Sequence, residues 1–166
     1  VQEGNQRAMT EMLREDQLDL MLCNLVNQEG ELEYEHLCWD PVIFLVQSAH
    51  PCCRYARYRD TFYHPWIDLR EFEQEIFILQ HQGQSLRQYS DQLLEEAGLS
   101  PQRITQIRNI ETAAQMAANG LGVSFCLESY FRHMMFIQPP YRFSVGERQL
   151  AADFSAAYRR GRQLPE

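Results

Sequence analysis

Apolar residues in this chain recur at helical spacing in some segments and as short continuous runs in others. Residues 6–15 predict a helix with Ala8, Met9, Met12 and Leu13 on one face. Residues 85–97 predict a second, its apolar face made by Leu86, Tyr89, Leu93, Leu94 and Ala97. Ser85 with Gln88 fits a capping box at its start, and Gly98 stops it. Ile110, Ala113, Ala114, Ala117 and Leu121 mark a third helix that Gly120 closes, and residues 128–133 a short fourth. Among the strands, residues 18–23 form the near-continuous apolar run expected of a strand covered on both faces. Residues 32–38 alternate and predict a half-buried strand, broken by Trp39-Asp40-Pro41 before a buried strand over 42–46. Further strands are expected over 76–79, 103–107, 123–126, 135–138 and 149–158, with one helical turn at 68–72. Strands alternating with helices predict an α/β fold with largely parallel sheets. Residues 52–66 are rich in Arg and Tyr and give no readable period.

The order of elements around Gly120-Leu121-Gly122 decides what those glycines do. A dinucleotide-binding loop runs strand, glycines, helix. Here a helix comes first and an apolar strand, Val123 to Phe125, follows. The glycines therefore end a helix and let it pack closely on a sheet.

Composition narrows the class. The chain has 166 residues, 45% of them apolar, enough for a real core. Its formal net charge of −8 disfavours a nonspecific grip on nucleic acid. The longest apolar run, residues 41–46, is far too short to span a bilayer, and no signal peptide is visible. The five cysteines, Cys23, Cys38, Cys52, Cys53 and Cys126, include no CxxC pair and fit a reducing, cytoplasmic setting. His36, His50, His64, His81 and His133 match no metal-ligand spacing. Gly83-Gln84-Ser85 is not a nucleophile elbow, and no acid–base pair stands out. No cofactor and no catalytic residues are expected.

Several motifs, in order, carry a resemblance. Glu3-Gly4 precedes a helix and then Leu18-Asp19-Leu20. Ile43 to Val46 runs toward His50-Pro51. Phe77-Ile78 is followed by Ser85-Leu86-Arg87, Asp91 and Ala97-Gly98. Thr112 stands ahead of the segment 117–122, and Arg159-Arg160-Gly161-Arg162 forms a basic turn. In this order and spacing the chain resembles the effector-binding domain of LysR-type transcriptional regulators.

That resemblance implies a two-lobed fold like that of type 2 periplasmic binding proteins, with two strands crossing a hinge. Residues 1–47 and 127–166 would form an incomplete first lobe, and 48–126 the second. The hinge would lie at Val46, Gln47, Ser48, Cys126 and Leu127. The resemblance also implies a small-molecule effector, an organic anion among the candidates, held between the lobes by Asn5, Gln80, His81, Gln82, Gln84, Ser85 and Thr112. Structural readings stand beside these: Ser85 and Asn5 as helix caps, Thr112 bonding its own helix start, and Arg87 as a surface ion pair rather than a carboxylate clamp. The winged helix-turn-helix that contacts promoter DNA is expected outside this chain, and the intact protein is expected to be a homodimer or homotetramer away from membranes. A solute-binding protein of a transporter shares the two-lobe logic and remains the alternative.

Overall fold

The computed structural model describes residues 6–161 together with Gln2 and Gly4. Asn5 and Arg162 lie outside the described residues.

Helix α1 spans Gln6–Arg14 and buries Met9, Thr10 and Leu13. Ala8, expected on the apolar face, is exposed. The helix covers an antiparallel sheet of β1 (Met21–Leu25), β7 (Ala151–Arg159) and the first part of β2 (Leu32–Val46). Met21, Leu32 and Ala157 meet Met9 and Leu13 in a small core. Among the described residues β1 pairs only with β7, so it stands at the edge of this sheet. Leu22 is 58% exposed, so the run over 18–23 is covered on one face, not two.

β2 is the long element, and it overturns the break expected at Trp39-Asp40-Pro41. Fifteen residues run as one strand with an irregularity between His36 and Cys38. Pro41 is tolerated because the strand changes partner there. Pairing with β7 ends at Pro41↔Ala151, and pairing with β5 (Val123–Leu127) begins at Val42↔Leu127. A proline has no N–H for the ladder, and the next N–H, that of Val42, goes to the Leu150 carbonyl.

Beyond this handover the sheet continues from β5 to β3 (Ile76–Leu79) and β4 (Arg103–Gln106), both joined in parallel, with β6 (Tyr141–Phe143) on the other side of β2. The sheet is thus mixed, not largely parallel. One face packs Phe44, Phe72, Phe77, Phe125, Leu86 and Leu93 beneath α2 (Ser85–Glu96). On the other face Ile43, Leu45, Cys126, Ala114 and Ala117 pack under α3 (Ile110–Ala118) and α4 (Glu128–His133). No strand forms over 135–138. Met134 and Phe136 turn inward, and Ile137 is fully exposed.

The glycine pair behaves as its order implied. Gly120 has φ +74° and lies under the Gln47 side chain. At Gly122, φ +154°, a Cβ would run into the Ile76 carbonyl oxygen. Only glycine lets the turn after α3 approach β3 this closely.

Candidate functional site

Strands β3, β4 and β5 run parallel, so their C-terminal ends, at Leu79, Gln106 and Leu127, lie along one edge of the sheet. In open α/β sheets that edge is where ligands sit. α2 and α3 start from it, and their N-termini present backbone N–H groups there.

The loop from β3 to α2 carries most of the residues expected at the site. Gln80 is fully buried, and both polar atoms of its side-chain amide are buried without a hydrogen-bond partner among the described residues. Such a group costs stability unless something satisfies it. His81 and Gln84 are half-buried and Gln82 is exposed. Gln84 spans two loops: its Oε1 accepts from the His81 N–H at 3.1 Å, and its Nε2 donates to the Arg108 carbonyl at 3.1 Å.

The capping box expected at Ser85 does not form. Gln84 is the N-cap, no side chain caps α2, and Ser85 is the first helical residue. The reason is local: the Gln84 side chain is already engaged with Arg108 and His81. The first N–H groups of α2 are left without a side-chain acceptor, which suits an anion. α3 is closed instead by Asn109, whose Oδ1 accepts from the Thr112 N–H at 2.8 Å. Thr112 is exposed beside it. Arg87 is buried, with its Nε on Asp91 at 2.7 Å and Nη1 donating to the Gln80 carbonyl at 3.0 Å. That geometry makes Arg87 a brace for the loop: the ion pair of its structural reading forms, but with Arg87 buried rather than at the surface.

A cavity of about 360 Å³ opens where the α2 cap, the start of α3 and α4 meet. Gln84, Arg108, Asn109, Glu111, Tyr130 and His133 line it. Its volume falls within the range of small-molecule sites. Sequence reasoning placed Gln84 here and Thr112 close by. It missed Arg108, Tyr130 and His133, which follow the ends of β4 and β5; the parallel-strand rule was the available signal. A second groove, about 470 Å³, lies between the C-terminal half of α2 and β4, lined by Leu94, Glu95, Gly98 and Ile104.

At the strand handover the charges are organised. The Glu128 carboxylate, at the start of α4, lies 2.8 Å from His64 Nε2 and 3.1 Å from Arg142 Nη1, and Arg132 joins it. Burial pushes the Glu128 carboxyl up, but His64 and the two arginines outweigh it and hold the group below its ordinary value. Asp40 accepts from the Ser129 N–H at 3.0 Å and from its hydroxyl. Of the expected hinge residues, Val46, Cys126 and Leu127 are buried in strands, Gln47 is half-buried and Ser48 is exposed in the turn after β2. His50 accepts from the Cys52 N–H at 3.2 Å and starts the 3-10 turn Pro51–Tyr55. Burial pushes the Cys126 thiol up to about 12, so it is inert as a nucleophile. No group of three His, Cys, Asp or Glu side chains among the described residues is placed to hold a metal, and none of the described helices is long and apolar enough to cross a membrane.

Comparison with known proteins fits this geometry. The family model for the LysR substrate binding domain matches residues 1–166. The uncharacterized HTH-type transcriptional regulator YybE of Bacillus subtilis (strain 168) is 30% identical over 116 residues, which is 70% of this chain and 37% of that protein. The chain thus spans little more than a third of the length of that curated relative. The effector binding domain of QuiR in complex with shikimate superposes with a TM-score of 0.76 at 19% identity, covering 98% of this chain and 72% of that one. The BenM effector binding domain with its effector benzoate gives 0.77 at 17% identity, covering 98% and 70%. These neighbours fix the fold as the two-lobed, periplasmic-binding-protein-like α/β architecture. The chain belongs to the LysR substrate-binding domain family.

Proposed function

We propose that this chain is the effector-sensing part of a LysR-type transcriptional regulator, binding a small molecule at the C-terminal edge of β3, β4 and β5. The observation that carries this reading is the unpartnered, fully buried Gln80 amide beside the uncapped start of α2. Gln80, His81, Gln82, Gln84, Ser85 and Thr112, with Arg108, form the second-lobe side of the site, and Tyr130 and His133, from the other lobe, line the same cavity as Gln84 and Arg108. Asn5 belongs to the first-lobe side. An organic anion is the ligand class that Arg108 and helix N–H groups suit. The shikimate and benzoate bound by the QuiR and BenM domains are both carboxylates and support this class.

In this reading residues 1–47 and 127–166 form one lobe and 48–126 the other, with a hinge at Val46, Gln47, Ser48, Cys126 and Leu127. The change of partner in β2 at Pro41 and Val42, opposite Leu127, supports the Leu127 end of this hinge; on the β2 side the change comes before Val46. A ligand shifts the angle between lobes only through its unequal affinity for the two arrangements. In the intact cytoplasmic protein that shift would pass through a homodimer or homotetramer to separate DNA-binding domains on a promoter. The domain binds and does not catalyse.

A thermal-shift screen of small carboxylates against the intact regulator tests the reading. A true effector raises Tm in a concentration-dependent way, because it binds the native state. Thr112→Val and Gln84→Ala reduce that rise. A regulator whose inducing metabolite leaves Tm unchanged contradicts it.

A further inference from the structure

Tyr89 sits on α2, one turn after Ser85 and on the same helix face. Its ring packs against the large core under α2, but its hydroxyl leaves that core. It donates to the carbonyl of Leu25 at 2.9 Å. Leu25 is the last residue of β1 and pairs with Asp153 in the final register position of β1 and β7. The bond therefore joins a helix of the β3–β4–β5 unit to the strand ends of the β1–β7 sheet.

We propose that Tyr89 is a positioning residue that clasps the two lobes, its hydroxyl bond to Leu25 holding α2 against the end of β1. This rests on the reading that an effector is sensed between those lobes. For α2 to swing away from β1 the bond must break. Tyr89 lies one turn beyond Ser85, a residue of the proposed site. Tyr89 thus sets how far the cleft stands open before anything binds.

Hydrogen exchange on the full chain, followed by mass spectrometry, tests the clasp without any ligand. Tyr89→Phe keeps the ring and removes the donor. Loss of one such bond raises the open population about fivefold. Exchange should accelerate by that factor in both β1 (Met21–Leu25) and the first two turns of α2, and stay unchanged in β5. Unchanged exchange in β1 overturns the clasp, as does acceleration in α2 alone. Acceleration that reaches β5 as well marks general loosening and also overturns it. Failure to bind any effector would sink the sensing role but leave this result standing, so the two can be told apart.

Discussion

Glu128 shows how much one side chain organises. It is buried at the start of α4, yet it meets His64 from the 57–66 loop and Arg142 from β6, beside the position where β2 and β5 join at Val42 and Leu127. Its carboxyl is held below the ordinary value, so its stabilisation is fully present above the unfolded value and is lost as pH falls through the folded one. Glu128→Gln should cost about 1–3 kcal/mol at neutral pH. It should also flatten the acid side of the stability curve, read by urea unfolding from pH 7 downward. A variant with the same acid limb as the parent would show that the cluster carries no linkage. Gly122 is the second such residue. Gly122→Ala drives a methyl at the Ile76 carbonyl and should cost about 2–3 kcal/mol, measured as a lower unfolding midpoint at unchanged m-value.

At the scale of elements, the helices were legible and the strand partners were not. α2, α3 and α4 announce themselves through local spacing and, for α2 and α3, through glycine stops at Gly98 and Gly120, both at positive φ. Pro41 misled because a proline reads as a break, whereas the change from β7 to β5 that accommodates it depends on residues more than eighty positions away. The run over 18–23 misled for a similar reason: apolar content does not say whether a strand is central or at an edge. Ser85 looked like a cap, but Gln84 holds the cap position because its side chain finds partners across the loop. The cap that does form, Asn109 on Thr112, gives a prediction at this scale. Asn109→Ala should destabilise α3 by about 1 kcal/mol, seen as faster amide exchange in its first turn, while α2 is unaffected. Equal exchange in Asn109→Ala and the parent would show that the cap contributes nothing.

The whole molecule joins an antiparallel sheet under α1 to a mixed sheet between α2 on one face and α3 and α4 on the other, with β2 running through both. The order of motifs was enough to identify this two-lobed architecture. The site was legible only in part. Loops after β3 and before α3 were visible as the ends of predicted elements, and Tyr130 and His133 lay in a predicted helix after β5, but which strand ends share one edge depends on the parallel pairing of β3, β4 and β5. The central claim is that a small anion binds along the C-terminal edge of β3, β4 and β5. The most direct test is an NMR titration of the isotope-labelled chain with a carboxylate that stabilises it thermally. Backbone amide shifts concentrated at Gln80 to Ser85 and at Arg108 to Thr112 are the predicted result. Shifts concentrated instead around Gly98 to Ile104, at the groove between α2 and β4, would contradict the account.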